Sequence, residues 1–304
     1  MKLIWNSHNY NKSFWGEYHR INSKKWIFDI LSKVNFTEVD NLNDIDSSET
    51  ILIVDSEIEK KESFYKSFFK KYNKVYLVHL GDEGGKIDKD FYSNFKHVFR
   101  TFYLNSFAKN LNITCIPIGY KTGSINNLNR ITDRKYIWNF LGTIHGASRY
   151  DLIFQNKNIK PNYINITKKF GGQNSLSADE YYKIMGDTKF ALVSHGYFHP
   201  ETYRLYEALE SGCIPIIENP HSFFDNFLPG NPIIKIKLWN EATKIIDKFN
   251  KDKNKILDIS KSTNNWWLEY KLTLKQNIRD KIKHMAYLKD KKKRILLQKY
   301  QFIT

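Results

Sequence analysis

The sequence predicts an α/β protein with two parallel sheets. Short apolar runs of strand length alternate with helical stretches along most of its 304 residues. A polar, turn-prone stretch, Lys121-Thr122-Gly123-Ser124-Ile125-Asn126-Asn127, divides that alternation into two parts of similar length. At about 100–200 residues per domain, the length also calls for two domains. Hydrophobic residues make up 41%, enough for two cores, and this excludes a disordered chain.

In the first half, strands are expected at 2–5, 50–54, 75–80, 96–102 and 114–118. A helix is expected at 57–72, with apolar positions at Ile58, Phe64, Tyr65, Phe68 and Phe69. In the second half, strands are expected at 136–141, 190–194, 214–217 and 232–236, and helices at 148–154, 177–185 and 200–211. Ser177 with Glu180 three residues on is a capping box, which marks the start of the second of these helices. Further helices follow to the C-terminus. The expected organisation is therefore two Rossmann-like domains, 1–125 and 126–270, facing a cleft, with a basic helical tail at 271–304. In open parallel sheets, ligands bind beyond the carboxyl ends of the strands.

The formal charge of +16 points first to nucleic acid, a membrane surface or anionic substrates. Its distribution narrows the choice. Residues 271–304 hold eleven Lys and Arg against two Asp, a net +9, and the rest of the chain is mildly basic. Only eight of the 48 basic residues are Arg, the better reader of bases and phosphates. With no zinc-finger spacing, RNP-like motif or basic zipper, no nucleic-acid partner is expected. Within the tail, Leu274, Ile278, Ile282 and Met285 recur at helical spacing. They predict a helix docked by one apolar face, its basic outer face available to an anionic membrane.

No apolar run approaches the roughly 18 residues of a membrane span. The start, Met1-Lys2-Leu3-Ile4-Trp5-Asn6, turns polar too early for a signal peptide. Cys115 and Cys213 lie far apart, which argues against a disulfide framework and a Cys-based zinc site. A cytoplasmic protein is expected, peripheral at the inner membrane face where its tail engages lipid.

The densest chemical signal runs from Phe190 to Ile217 as strand, polar loop, helix, Gly stop and strand. Ser194, His195 and Gly196 follow the strand, where a ligand sits. Pro200 and Glu201 suit the first turn of the helix. Glu201, Arg204 and Ala208 share a face, and Glu207 lies close to it. A helix N-terminus attracts phosphate, and Arg204 adds a charge-assisted fork. Glu207 can accept hydrogen bonds from two ribose hydroxyls. The set suits a nucleotide diphosphate, although an internal Glu–Arg–Glu pairing fits the spacing equally well.

The helix begins Glu201-Thr-Tyr-Arg204, continues Tyr-Glu-Ala-Leu and ends Gly212-Cys-Ile-Pro215. In this it resembles the donor-binding region of the exostosin-like glycosyltransferases, in particular the ribitol xylosyltransferase-like group. Phe140-Leu-Gly-Thr-Ile-His-Gly-Ala-Ser-Arg149 is similar to that family's Phe-x-Gly segment with its following Arg. His79-Leu-Gly-Asp-Glu83 and, more weakly, Pro117-Ile-Gly-Tyr-Lys121 also match, so the resemblance covers roughly residues 79–220. It implies a GT-B glycosyltransferase, with the donor nucleotide on the C-terminal domain and the acceptor on the N-terminal one. It also implies a nucleotide-sugar donor, mostly UDP-linked, and inversion at the anomeric carbon. Arg204 would face the pyrophosphate and Glu207 the ribose, with Gly142 and Thr143 offering close backbone approach. Arg149, His195, Glu201 and Thr202 would complete the donor site.

Inverting transfer needs a base on the acceptor side and positive charge at the departing diphosphate. Asp82 and Glu83 directly follow an expected strand and are the candidate bases; Gly-Asp-Glu-Gly-Gly is also an ordinary turn sequence. His8, His19 and His79 are weaker candidates. The pairs Asp44-Ile-Asp46 and Asp88-Lys-Asp90 sit in polar surroundings, so no metal and no cofactor beyond the nucleotide-sugar donor are expected. Leaving-group charge then falls to Arg204, Arg149, Lys121 or helix dipoles. No Gly-x-Gly-x-x-Gly unit or P-loop occurs, which excludes a nucleotide-dependent oxidoreductase and a P-loop kinase. The expected acceptor is a glycan or lipid-linked glycan, in surface polysaccharide or glycoconjugate synthesis. The non-catalytic alternative is a lectin-like module using the 19 Tyr and 7 Trp.

Overall fold

The computed structural model describes residues 1–6, 14–123, 129–168 and 175–301, with side chains for 1–6, 17–123, 129–168 and 175–283. His8 and most of the expected linker lie outside the described residues. The chain forms two compact units. The first holds Met1–Ile21, Ile27–Pro117 and the chain from Lys271; the second holds Asn22–Trp26 and Ile118–Tyr270.

The first unit has strands β1 (Lys2–Trp5), β2 (Thr37–Val39), β3 (Ile51–Asp55), β4 (Val75–His79), β5 (Val98–Arg100) and β6 (Ile113–Cys115). Around them lie helices α1 (Phe14–Asn22), α2 (Lys24–Ile30), α3 (Glu62–Lys71), α4 (Lys89–Tyr92) and α5 (Asn105–Ala108). The strand order is β2-β1-β3-β4-β5-β6, every pair parallel. Register places Ile4, Ile53, Leu77, Val98 and Ile113 in one row across five strands. Tyr65, Phe68 and Tyr72 pack on that row. Each fully buried apolar side chain of this kind contributes about 1.5–3 kcal/mol. At the carboxyl edge the next row turns polar, with Asp55, His79 and Arg100 side by side.

The second unit has β7 (Tyr136–Thr143), β8 (Asn162–Thr167), β9 (Thr188–Val193), β10 (Ile214–Glu218) and β11 (Ile234–Ile236). Its helices are α6 (Ala147–Asn156), α7 (Ala178–Gly186), α8 (Tyr203–Glu210), α9 (Phe223–Phe227) and α10 (Trp239–Asn250). The order is β11-β10-β9-β7-β8, again all parallel. Trp138, Phe190 and Ile214 align across three strands and pack with Trp239 and Ile246 of α10. The capping box at α7 is present in both directions between Ser177 and Glu180.

Two expectations change. The helix expected at 57–72 breaks into a 3₁₀ turn, Ile58–Lys60, and α3. Between them Lys61 turns inward, its ammonium 2.6 Å from the buried Asp55 carboxylate. The helix expected at 200–211 starts only at Tyr203, so Pro200 and Glu201 precede it instead of forming its first turn. Helices α1 and α2 and strands β2 and β8 were not expected from the pattern. β2 and β8 are edge strands, and neither is fully buried.

Helix α11 (Lys253–Gln301) ends the chain. Leu274, Ile278 and Ile282 are buried, as an apolar docking face requires. Lys275 lies 2.5 Å from Asp29 of α2, and the Tyr76 hydroxyl donates to the Ile282 carbonyl. Lys281 and Lys283 are exposed. Among the described residues no helix is long and apolar enough to cross a membrane.

Candidate functional site

The carboxyl edge of the second sheet gathers the cations. β7 ends at Thr143 and leads into α6, which carries Arg149; β9 ends at Val193 and leads through His195 to α8, which carries Arg204. Every residue of α8 from Arg204 to Leu209 is buried, so both Arg204 and Glu207 point into packed surroundings. The Arg204 guanidinium lies over the Phe140 ring at 4.8 Å, and its Nη2 donates to the Leu141 carbonyl. Its Nε and Nη1 have no hydrogen-bond partner among the described residues. Arg149 Nη1 donates to the Thr143 carbonyl at 2.8 Å and Nη2 to the His195 carbonyl at 3.3 Å, while Nε is unpartnered.

Burial and the like charge of Arg204 together push Arg149 down to about 9. A buried and a half-buried guanidinium that repel one another, with three nitrogens unmatched among the described residues, form a site that an anion stabilises. Gly142, at φ 147°, makes room for this arrangement. A Cβ there would stand 2.5 Å from Arg204 Nη2. Gly142→Ala should therefore displace the Arg204 side chain and weaken nucleotide diphosphate binding about tenfold in a calorimetric titration, with the fold retained. Unchanged affinity would show that this close approach has no part in binding.

The remaining expected donor residues divide by environment. Thr143 Oγ1 pairs with Thr167 Oγ1 at 2.9 Å across β7 and β8. The His195 side chain is 46% exposed; Nδ1 lies 3.0 Å from the Gly196 carbonyl and Nε2 lies 3.9 Å from Glu218. Thr202 holds the N-cap position of α8 without a side-chain cap bond, its hydroxyl buried and unpartnered. Glu207 is buried, its carboxylate engaged by the Tyr181 hydroxyl and the Lys121 amide, with Lys121 and Arg204 supplying positive charge. Burial nevertheless raises its pKa. These contacts make it a brace behind Arg204.

Glu201 is a strap. Its Oε1 accepts from the Ile118 amide at 2.8 Å and the Tyr206 hydroxyl at 2.5 Å, and burial pushes the carboxyl up to about 8. Nearby His199 accepts from the Glu201 amide through Nδ1, so that nitrogen has no proton to offer the carboxylate. A carboxyl raised on folding stabilises the native state fully below its unfolded value, near 4.5, and loses that contribution as pH rises through about 8. The expected loss is up to roughly 1.4 kcal/mol per pH unit. Glu201→Gln keeps an acceptor oxygen and removes the titration, so its melting temperature should fall less than wild type between pH 5 and 8. Parallel melting profiles for the two proteins would contradict this.

In the first unit, Asp82 follows β4 with φ 65°. Its carboxylate accepts from the Lys86 amide at 2.6 Å and the Ile87 amide at 3.3 Å, and pairs with Arg100 at 3.3 Å. Asp82 thus organises the turn, and Glu83 beside it is half-buried. Gly81 is required here because a Cβ would lie 1.9 Å from the Ser56 carbonyl oxygen. His79 is buried, bonded through Nδ1 to the Tyr92 hydroxyl, and held neutral by burial and Arg100, its pKa lowered to about 3. Burial also lowers His19, to about 4. Among the described residues, no group of three His, Cys, Asp or Glu side chains is arranged to hold a metal. Asp46 accepts from the Ser48 amide, and Asp88 caps α4.

The RXYLT1 C-terminal domain model matches residues 119–287, more than half of the chain. This protein belongs to that family. The matched segment contains the 140–149 and 201–215 motifs and excludes His79–Glu83. No curated protein matches the sequence. Among solved structures, the DNA-modifying enzyme β-glucosyltransferase, determined with and without uridine diphosphoglucose, is similar with TM-score 0.54 at 11% identity, covering 93% of this chain and all of that one. A T4 phage β-glucosyltransferase structure aligns with TM-score 0.50 and 12% identity over 93% and 99% of the two chains. An α1,3-fucosyltransferase aligns with TM-score 0.49 and 13% identity over 93% and 89%. The fold is that of the GT-B glycosyltransferases, two parallel α/β sheets with a helical C-terminus.

Two further residues meet at this edge, and the sequence pattern gives no signal for either role. Ser148 Oγ donates to Glu218 Oε2 at 2.5 Å and accepts from Trp239 Nε1 at 3.1 Å. Together they hold Glu218 beside His195. Glu218 stands one residue past the expected end of its strand, so only the β10 boundary could have drawn notice to it.

Proposed function

We propose that this protein is a glycosyltransferase that moves a sugar from a nucleotide diphosphate, UDP in the first instance, to a glycan hydroxyl with inversion and without a metal. The observation that carries this reading is the pair of like charges Arg204, buried, and Arg149, half-buried, with N–H groups unmatched among the described residues at the carboxyl edge of a parallel sheet. A diphosphate would add negative charge beyond that of Glu207 and acceptor oxygens for these N–H groups. Thr143, His195 and Gly142 line the same approach.

In the proposed reaction, the acceptor hydroxyl oxygen attacks the anomeric carbon while Glu83 takes its proton. The bond from that carbon to the β-phosphate oxygen breaks, and its electron pair leaves with the diphosphate. Fixed guanidiniums stabilise that charge without reorganisation, the form in which electrostatic catalysis is largest. One displacement inverts the anomeric centre. The acceptor proposed is a glycan or lipid-linked glycan of surface polysaccharide or glycoconjugate synthesis. The exposed Lys281 and Lys283 and the basic sequence beyond them favour work at an anionic, cytoplasmic membrane face.

A nucleotide-sugar panel assayed for donor turnover in EDTA tests the proposal. It predicts turnover of at least one UDP-sugar, undiminished by the chelator. Turnover lost in EDTA and restored by Mn²⁺ would refute the metal-independent route. No turnover and no UDP binding would favour a lectin-like module.

A further inference from the structure

A cavity lies at the amino edge of the second sheet, opposite the edge that holds Arg149 and Arg204. It measures about 470 Å³, within the range of small-ligand sites, and three cations line it: Arg130, Arg134 and Lys261. Arg134 and Gly212 precede the first residues of β7 and β10, whereas Arg149 and His195 follow the ends of β7 and β9. β7 is 8 residues long, a span of roughly 25 Å, so one small ligand cannot occupy both places.

The cavity is built and charge-selective. Arg134 is nearly fully buried and fixed: Nε donates to the Asn129 carbonyl at 3.2 Å, and Nη1 to the Thr188 carbonyl at 2.8 Å and the Cys213 sulfur at 3.6 Å. Among the described residues Nη2 makes no hydrogen bond. Lys261, Asn264 and Asn265 are spaced three and four apart on α11 and present ammonium and carboxamide groups from one face. None of the lining residues carries a carboxylate. Of the acids close by in sequence or bonding, Asp133 accepts from the Thr132 hydroxyl and Asp187 from the Asn129 carboxamide. Among the described residues, none of the three cations makes an ion pair. Two hydroxyls next in sequence to lining residues, Ser211 Oγ and Thr263 Oγ1, are buried without partners. Cations select an anion, and paired carboxamides select a hydroxylated framework.

We propose that this cavity is a second binding site, for an anionic sugar: a hydroxylated ring carrying a phosphate or a carboxylate. Binding there stands independently of the donor site. Its use, holding the glycan chain at a residue remote from the reacting end, rests on the glycosyltransferase reading above.

Calorimetric titration of the full chain tests it with glucose 6-phosphate, glucuronate, inorganic phosphate and glucose. Glucose 6-phosphate or glucuronate should bind wild type and Arg204→Ala with the same affinity, glucose should not bind, and inorganic phosphate should bind more weakly than the sugar anion. Arg130→Ala/Lys261→Ala should weaken sugar-anion binding at least tenfold and leave UDP affinity unchanged. Asn264→Ala/Asn265→Ala should weaken the sugar anion but not inorganic phosphate. Absence of binding by both sugar anions, binding untouched by the double variants, or binding lost in Arg204→Ala would overturn the proposal. Loss of UDP binding or turnover with sugar-anion binding intact would instead overturn the donor reading alone.

Discussion

Replacing Arg204 by alanine is expected to raise the dissociation constant for UDP about 100-fold. Two charge-assisted hydrogen bonds from Nε and Nη1 are each worth roughly 1.5–3 kcal/mol, and about 3 kcal/mol in total corresponds to that factor. The variant also leaves the Leu141 carbonyl without its donor and Glu207 without a neighbouring charge, so its melting temperature should fall modestly. Arg204→Lys separates charge from geometry. It keeps the cation, loses the planar fork, and should fall between wild type and alanine. UDP affinity within threefold of wild type in folded Arg204→Ala would remove this residue from the donor site.

The second large effect concerns the base. Glu83→Gln should lower turnover by about 10²–10⁴ while leaving UDP affinity unchanged, the range general-base removal produces. Asp82→Asn should act differently, because that carboxylate holds two turn amides and Arg100. It should lower the melting temperature more than it changes the rate of the protein that remains folded. If Asp82→Asn melts normally and loses turnover while Glu83→Gln keeps its rate, the roles are reversed.

The strands at 2–5 and 75–80 were legible because parallel strands buried on both faces read as unbroken apolar runs, as Leu-Ile-Trp and Val-Tyr-Leu-Val do here. The edge strand β8, Asn-Tyr-Ile-Asn-Ile-Thr, interleaves polar residues and gives no such run. Capping at α7 could be read because its two partners are three residues apart in sequence. The start of α8 could not, since Glu201 is drawn off the helix by the Ile118 amide, 83 residues away. The family resemblance implied that Arg204 and Arg149 belong to one site. Only packing reveals that Glu207 faces Tyr181 and that Asp82 faces Arg100. Glu207 is a plausible ribose contact by its place on the helix and Asp82 a candidate base by its place after a strand, and both depend on partners no local pattern encodes.

In the proposed donor site, Arg149 and Arg204 hold a nucleotide diphosphate at the carboxyl edge of the second sheet. A crystal structure of the protein with UDP bound tests it directly. Phosphate oxygens are expected within hydrogen-bond distance of Arg204 Nε or Nη1 and of Arg149 Nε, with Gly142 beneath them. Phosphates bound elsewhere, with both guanidiniums unchanged and unliganded, would contradict it.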